Sequence, residues 1–301
     1  MNQIRLLALD LDGTLLNSRG VISEKNLQAI RAAEERGVLV TIATGRRFRD
    51  ARPVGVEAGL NAPLITHNGA LIKFADTLET VNVALLNHTE AREVLRVGRE
   101  FRSDAMISCD PHGLGLLLYD NVSDENVPLQ KYIAWSRRLH GDDGENAIRH
   151  VSSLEAVLDE IEIVHLSFSG ACAPMSELQN ALETRLGNSV KVLATVYSSM
   201  NFTLLDVLHA EASKGYGVQK FAEIHQIAPA EIMAIGDNFN DLEMLELAGT
   251  PVVMGNALPE LLENPDYQKT LSNDEDGVCR AIERFILDSK INRKILLKTI
   301  K

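Results

Sequence analysis

Cysteine is scarce in this sequence, and its scarcity argues against a fold held by covalent or metal cross-links. The three cysteines, Cys109, Cys172 and Cys279, are odd in number and lie far apart. They predict neither a disulfide framework nor a cysteine-based metal site. Since disulfide-rich sequences are typical of secreted proteins, this usage favours a reducing compartment.

Positive charge and long apolar runs are scarce as well. The 42 acidic residues outnumber the 30 lysines and arginines, which gives a net charge of −12 and a pI near 5.2. Long-range repulsion therefore opposes binding to nucleic acids and anionic membranes. No apolar run reaches the roughly 18 residues of a membrane span, and the first strand-like stretch starts too early for a signal peptide. We expect a cytoplasmic protein with no nucleic-acid and no membrane partner.

The chain is long and apolar enough for a substantial core. Its 301 residues are 45% hydrophobic and 24% charged, which predicts two folded domains. At the far end, Lys290–Lys301 contains five basic residues and no acid. We interpret this segment as a solvated tail, with a helical apolar face as the alternative.

The central motif is DLDGT, from Asp10 to Thr14, directly after the apolar run Ile4–Leu9. Such a run predicts a buried parallel strand that ends at the ligand-binding edge of an α/β sheet. Because residues two apart on a strand point the same way, Asp10 and Asp12 would share one site. One carboxylate could then attack an electrophile while the other transfers protons. Gly13 lets the chain turn, and Thr14 is expected to hydrogen-bond back onto that turn.

Two further strand ends carry polar residues, and an ordinary surface turn is the alternative for each of these motifs. The segment Val38–Ala43 predicts a second buried strand. The residues after it, Thr44–Arg46, offer a hydroxyl and backbone N–H groups that suit an anionic oxygen. Pro63–Thr66 predicts a third strand, and the sequence HNGA at His67–Ala70 predicts a tight hairpin turn.

The pattern changes from about Asn82 to short helices and hairpin strands, which predicts an inserted α+β domain. Its predicted helices are 89–101, 128–139, 153–159 and 175–186, and its predicted strands are 105–108, 114–119, 161–168, 190–196 and 202–208. The histidines of this region show no metal-ligand spacing.

The core pattern then resumes with Lys214-Gly215 at the start of a helix. A strand at 231–235 ends in GDNFND at Gly236–Asp241, the second strand to end in acids beside a glycine. A further strand is predicted at 251–255 and a last core helix at 278–287. If the strand ends converge on one edge of a doubly wound sheet, clustered aspartates there suit Mg²⁺, while a lysine and a hydroxyl suit a phosphate.

These residues resemble the haloacid dehalogenase superfamily, in particular its Cof-type phosphatases with a type IIB cap. The matching motifs are, in order, Asp10–Thr14, Thr44–Arg46, Lys214–Gly215 and Gly236–Asp241. The likeness covers about 1–81 and 209–288 and is much vaguer between them. It implies a Rossmann-like catalytic core at 1–81 and 209–301, and an α+β cap at 82–208 that selects the substrate.

The resemblance also implies a role for each site residue. Asp10 would be the nucleophile that forms an aspartyl-phosphate, and Asp12 would protonate the leaving oxygen and then activate water. Mg²⁺ would be held by the Asp10 carboxylate, the Asp12 carbonyl and Asp237. Asp241 would steady the loop or a metal-bound water. The substrate and phosphate would be bound by Leu11, Thr44, Gly45, Lys214 and Asn240, with Arg46 and Asn68 facing the leaving group.

The expected function is hydrolysis of a small phosphorylated metabolite: a sugar phosphate, a nucleotide or a cofactor-precursor phosphate. A phosphomutase of the same superfamily is the nearest alternative, because it uses the same aspartyl-phosphate. A phospho-accepting signalling domain is a further alternative, but it leaves Asp12 and the long insertion unexplained. A sugar-phosphate-binding regulator would not need the complete acid set. No sequence feature indicates an oligomeric state.

Overall fold

The structure is a computed structural model that describes residues 3–141 and 144–288. The basic segment Lys290–Lys301 therefore lies outside the described residues. The chain divides into a core unit of Met1–Arg46, Asp50–Thr77 and Ser213–Lys301, and an inserted unit of Arg47–Arg49 and Leu78–Ala212. Within the described ranges, no helix is both long and apolar enough to cross a membrane.

Strands and helices alternate along most of the chain. The strands are β1 Leu6–Leu9, β2 Leu39–Ile42, β3 Leu64–Thr66, β4 Leu71–Lys73, β5 Thr80–Val83, β6 Asp104–Cys109, β7 Leu116–Tyr119, β8 Ile148–His150, β9 Ile163–Gly170, β10 Val190–Tyr197, β11 Phe202–His209, β12 Ile232–Gly236, β13 Thr250–Val253 and β14 Gln268–Lys269. The α-helices are α1 Glu24–Glu34, α2 Phe48–Ala58, α3 His88–Glu100, α4 Val127–His140, α5 Gly144–Ala147, α6 Leu154–Val157, α7 Cys172–Leu186, α8 Lys214–Ile224, α9 Leu242–Leu247, α10 Pro259–Glu263 and α11 Gly277–Ile282.

The core unit contains a five-stranded parallel sheet with the order β14-β13-β12-β1-β2. The β1 residues are completely buried, as a strand covered on both faces requires. The chain runs outward from β1 to β2 and later outward from β12 to β14, so the strand order reverses between β1 and β12. Open α/β sheets bind ligands at the carboxyl end of such a switch point. The predicted doubly wound α/β core is confirmed.

The hairpin of β3 and β4 is also as predicted, and its turn has an unusual backbone. His67, Asn68 and Gly69 have φ angles of 53°, 50° and 91°, which is the left-handed region. A Cβ on Gly69 would lie 1.8 Å from the Ser213 carbonyl oxygen. This close approach fixes the turn against the residue that precedes α8, and it explains the glycine.

The inserted unit is built on a six-stranded sheet with the order β10-β11-β9-β6-β7-β8. All neighbours are antiparallel except β7 and β8. α3 and α7 share one apolar core with its central strands, to which Val94, Phe168 and Leu178 belong. The predicted α+β character is therefore found. The short elements β5, β8, α5, α10 and β14 were not predicted, because two to five residues carry too little periodicity to identify.

The central strands of this sheet carry a buried acid and a buried histidine. Ser167 on β9 is paired with Asp206 on β11, and His165 Nε2 lies 3.8 Å from Asp206 Oδ1. Burial raises the pKa of Asp206 to about 7, and burial together with the positive charge of Arg47 lowers the pKa of His165 to about 3. Near neutral pH, the imidazole is therefore neutral and the carboxyl is close to its midpoint.

These values predict a pH-dependent stability that replacement of Asp206 removes. Because its folded pKa is raised, the stabilising contribution of Asp206 is present below about pH 4 and lost as the pH rises to 7. We expect the stability of Asp206→Asn relative to the wild type to grow across this window, by at most about 1.4 kcal/mol per pH unit. Urea unfolding at pH 4, 5.5 and 7 measures this change. The exposed Asp266→Asn is the control, and a pH-independent difference for Asp206→Asn would contradict the assignment.

Candidate active site

Three aspartates meet at the switch point of the core sheet. Asp10 directly follows β1, and its N–H donates to the Ile235 carbonyl on β12 at 2.9 Å. Asp237 directly follows β12, and Asp241 lies one turn further on, before α9. One carboxylate oxygen from each of the three lies within 4.8 Å of the others. The parallel register of β1 and β12 therefore brings together acids that are more than 200 residues apart in sequence.

Lys214 is the buried counter-charge of this cluster. It is the first residue of α8, which Ser213 caps by accepting the Tyr216 N–H at 3.0 Å. Its side chain is 1% exposed, and its Nζ donates to Asp10 Oδ1 at 2.5 Å and to Asp241 Oδ1 at 2.6 Å. A lone lysine in a sequence is usually solvated. Its position here instead favours a role in the site.

The electrostatics of the cluster are dominated by burial and by an excess of negative charge. Burial raises the pKa of Asp10 well above its ordinary value; Lys214 opposes this shift, and the neighbouring carboxylates add to it. Burial and then Asp241 raise the pKa of Asp237 to about 6. Burial would lower the pKa of Lys214, but Asp10 and Asp241 outweigh it and raise that pKa. Three carboxylates facing one lysine therefore form a donor set that fits a hard divalent cation.

Asp241 holds the loop that carries Asp237. Its Oδ2 accepts the N–H groups of Asp237 and Asn238 at 2.9 and 3.0 Å, while Oδ1 accepts Lys214. A Cβ on Gly236 would lie 2.5 Å from the Asp241 Cγ, so a larger residue there would displace this carboxylate. Both oxygens of Asp241 thus already have donors, an arrangement suited to steadying the loop, which is one of the two roles that the resemblance implies.

Asp12 stands apart from the buried cluster. Its side chain is 57% exposed. The Arg46 guanidinium donates two hydrogen bonds to its carboxylate, from Nε to Oδ2 at 2.8 Å and from Nη2 to Oδ1 at 2.6 Å. Such a two-point contact orients a carboxylate strongly. An exposed acid is suited to exchanging protons with a leaving group and with water.

The turn after Asp12 is packed tightly against Asp237. Gly13 has a φ of +85°, and a Cβ there would lie 2.4 Å from Asp237 Oδ2. The Thr14 hydroxyl donates to Asp237 Oδ1 at 3.2 Å. The expectation that Thr14 bonds back onto its own turn is therefore corrected. The turn places this hydroxyl beside the neighbouring strand's carboxylate, which accepts its proton instead.

The remaining predicted residues surround Thr44. Its buried hydroxyl accepts the Arg46 N–H at 3.1 Å, and its carbonyl accepts the Asn68 N–H at 3.0 Å. Asn68 Oδ1 in turn accepts Asn240 Nδ2 at 3.4 Å, and it would lie 3.0 Å from a Cβ on Gly45. The Asn68 turn is thus both a hairpin and part of the site.

Leu11 and His67 are both buried. The Leu11 side chain is fully buried, so only its main chain can face a ligand. His67 is a buried turn residue, in agreement with the hairpin turn predicted for His67–Ala70. All the predicted site residues therefore lie in the core unit.

The sequence did not single out two asparagines that contact the same loops. Asn256 donates to the Gly13 carbonyl, and Asn273 donates to the Leu16 carbonyl. The available signal was positional: Asn256 lies three residues after the buried strand β13, at the same sheet edge as the aspartates.

Comparison with known proteins agrees with this geometry. The family model for haloacid dehalogenase-like hydrolases matches residues 7–282. The 5-amino-6-(5-phospho-D-ribitylamino)uracil phosphatase YwtE of Bacillus subtilis is 31% identical, covering 94% of this chain and 98% of that protein. The crystal structure of a haloacid dehalogenase-like hydrolase from Bacteroides thetaiotaomicron is 27% identical with a TM-score of 0.75, covering 94% of this chain and 99% of that one.

A structure of a subclass IIB sugar phosphatase has the same fold, with a TM-score of 0.71 and 21% identity over 93% of this chain and 98% of that one. The resemblance drawn from four short motifs is thus confirmed over nearly the whole chain. This chain belongs to the haloacid dehalogenase-like hydrolases, and it has the fold of their subclass IIB members.

Proposed function

We propose that the chain is a Mg²⁺-dependent phosphatase that hydrolyses small phosphorylated metabolites through an aspartyl-phosphate at Asp10. The observation that carries this proposal is the arrangement of the buried Asp10 and Lys214 with the half-buried Asp237 at the switch point. A carboxylate at a strand end, held by a buried ammonium, is placed to act as a nucleophile toward phosphorus. The same ammonium offers positive charge to the phosphoryl oxygens.

The first chemical step joins one Asp10 carboxylate oxygen to phosphorus as the bond from phosphorus to the leaving oxygen breaks. Asp12 gives that oxygen its proton, and the alcohol departs. In the second step, water attacks phosphorus, Asp12 takes its proton, and the bond to Asp10 breaks to release phosphate. Protonation of Asp12 removes its negative charge and turns one oxygen into a donor, so the two-point contact with Arg46 weakens.

The residues that would hold Mg²⁺ are Asp10, Asp237 and the main-chain carbonyl of Asp12. When bound, Mg²⁺ supplies the positive charge that offsets the carboxylates and the incoming phosphate. Thr44, Gly45 and Asn240 would hold the phosphoryl oxygens in place through their hydroxyl, backbone and amide donors. Positioning of this kind contributes to phosphoryl transfer because the reacting atoms then start close and aligned.

The relatives and the inserted unit support a proposal for the substrate class. The Bacillus relative is named for a phosphorylated ribityl compound that carries a uracil ring. We propose a substrate of similar kind for this chain: a small phosphorylated sugar, nucleotide or cofactor precursor of the cytoplasm. The inserted unit, Leu78–Ala212 with Arg47–Arg49, is proposed as the cap that selects among such compounds.

The proposal predicts that phosphate release from p-nitrophenyl phosphate requires Mg²⁺. We expect EDTA to abolish turnover and excess Mg²⁺ to restore it, while Ca²⁺ supports turnover poorly because it prefers more ligands and longer bonds. Colorimetric measurement of free phosphate checks this. Release of free phosphate also separates a phosphatase from a phosphomutase, which would return the group to a sugar. Full activity after exhaustive chelation would contradict the metal requirement.

A further inference from the structure

The segment after β13, Met254–Leu258, contacts both of the loops that carry acids. Its Met254 N–H donates to the Gly236 carbonyl at 3.0 Å, and its Leu258 N–H donates to the Asp237 carbonyl at 3.1 Å. Between these two bonds, Asn256 Nδ2 donates to the Gly13 carbonyl at 2.8 Å. One five-residue segment is therefore bonded to the strand end of Asp237 and to the turn that follows Asp12.

A second link ties the same side chain to a more distant part of the core unit. Asn256 Oδ1 accepts the Asn273 N–H at 2.9 Å, and Asn273 Nδ2 donates to the Leu16 carbonyl at 2.9 Å. The two asparagines thus connect the carbonyls at both ends of the turn from Gly13 to Leu16. A Cβ on Gly255 would lie 2.9 Å from the Ser272 N, so the two segments also touch through their backbones.

The clearance between Gly13 and Asp237 is small. An added Cβ on Gly13 would meet Asp237 Oδ2 at 2.4 Å, and Thr14 bonds to the other oxygen of that carboxylate. A small movement of the turn would therefore change the separation between the Asp12 main-chain carbonyl, which directly precedes Gly13, and Asp237. The Asn256 side chain joins this turn to the segment Met254–Leu258, whose backbone is bonded to Gly236 and Asp237.

We propose that Asn256 is a positioning residue that sets the Asp10–Thr14 loop at the correct distance from Asp237. Its amide N–H donates to the Gly13 carbonyl, and its amide oxygen accepts the Asn273 N–H, so both polar groups of the side chain are held. Since Asn256 is exposed, its bonds contribute little to folding. Its contribution is to the distance between the Asp12 main-chain carbonyl and Asp237, two of the groups that would hold Mg²⁺, and this step rests on the proposed function.

The test is Asn256→Ala, with Mg²⁺ binding measured by calorimetric titration of the metal-free protein. The variant loses both side-chain bonds of Asn256, and loss of the one to the Gly13 carbonyl predicts about tenfold weaker Mg²⁺ binding. In turnover of p-nitrophenyl phosphate at saturating Mg²⁺, we expect kcat to fall by about tenfold and KM to change by less than about twofold, because the reacting geometry is altered rather than substrate binding. The melting temperature of the metal-free protein should stay close to that of the wild type.

A matched control is Asn264→Ala. Asn264 lies in the same part of the chain, and its side chain accepts a local bond from the Asp266 N–H at 3.0 Å. It should leave Mg²⁺ binding and kcat unchanged. Asn273→Ala removes the outer link while Asn256 stays in place, and it should shift both values in the same direction by a smaller factor.

Unchanged Mg²⁺ binding and unchanged kcat in Asn256→Ala would overturn the positioning role, whether or not the wild type is a phosphatase. An equal loss in Asn264→Ala would overturn it too, because the effect would then be a general one of this region. If the wild type releases no phosphate from any substrate, the proposed function fails. The positioning role would in that case still be supported by weaker Mg²⁺ binding in Asn256→Ala alone.

Discussion

Replacement of Asp10 by asparagine is expected to abolish phosphate release, with a loss of more than about ten-thousand-fold, because an amide cannot attack phosphorus. The shape of the side chain is kept, and the amide oxygen can still accept the Lys214 bond. Steady-state turnover with p-nitrophenyl phosphate measures the loss. Turnover at about a hundredth of the wild-type rate or more would mean that another residue is the nucleophile.

The same variant should fold at least as well as the wild type when metal is absent. The folded pKa of Asp10 is raised, so its stabilising contribution is present below its ordinary pKa near 4 and is lost as the pH rises through the folded value. The raised pKa means that ionising Asp10 costs more in the folded chain than in the unfolded chain, and asparagine imitates the neutral form. Lys214 keeps its bond to Asp241. We expect an equal or higher melting temperature for metal-free Asp10→Asn.

The stabilisation by Mg²⁺ provides a second measurement on this variant. Ligand at about a hundred times its Kd stabilises a protein by about 2.7 kcal/mol. The wild type should gain melting temperature in Mg²⁺, and Asp10→Asn should gain much less because a charged ligand atom is lost. The exposed Asp266→Asn serves as control for a change of net charge. If Mg²⁺ raised the melting temperature of Asp10→Asn as much as that of the wild type, Asp10 would not be a Mg²⁺ ligand.

The parts of this site that the sequence reveals are those at the ends of buried strands. Asp10, Thr44 and Asp237 each follow an apolar run, and parallel strands end at one edge of a sheet. Their convergence could be predicted because strand ends, not loops, determine it. Asn68 could not be assigned in this way, since its HNGA sequence is equally typical of a plain hairpin turn.

Contacts made by loop backbones could not be predicted for a different reason. Asn256 and Asn273 donate hydrogen bonds to the main-chain carbonyls of Gly13 and Leu16. Every residue type has such a carbonyl, so the residue types at these positions do not reveal the contact. The packing of Gly69 on Ser213 likewise depends on two segments far apart in sequence. Nothing local in the sequence encodes such pairings, because tertiary packing decides them. The burial of Lys214 could not be predicted for the same reason, because it depends on tertiary packing.

Replacement of Asp12 by asparagine tests the proton transfers separately from the nucleophile. General acid–base help is worth roughly a hundred- to ten-thousand-fold, or about 3 to 5.5 kcal/mol of barrier. The asparagine has one carbonyl oxygen and no second acceptor, so it cannot accept both Arg46 bonds. Arg46→Ala is therefore the matched control, because it removes the same contact and keeps the Asp12 carboxyl.

The loss in Asp12→Asn should depend on the leaving group. Phenolate from an aryl phosphate departs with little protonation, so Asp10 should still form the aspartyl-phosphate, whereas a sugar phosphate should barely react. The second step lacks its base with either substrate, so we expect a burst of aryl product followed by slow release of phosphate. Rapid-quench measurement of the burst and steady-state rates with both substrates checks this, and Arg46→Ala should show no burst. A small and equal loss for both substrates, without accumulated phospho-enzyme, would mean that Asp12 only orders its loop and that another group transfers the protons.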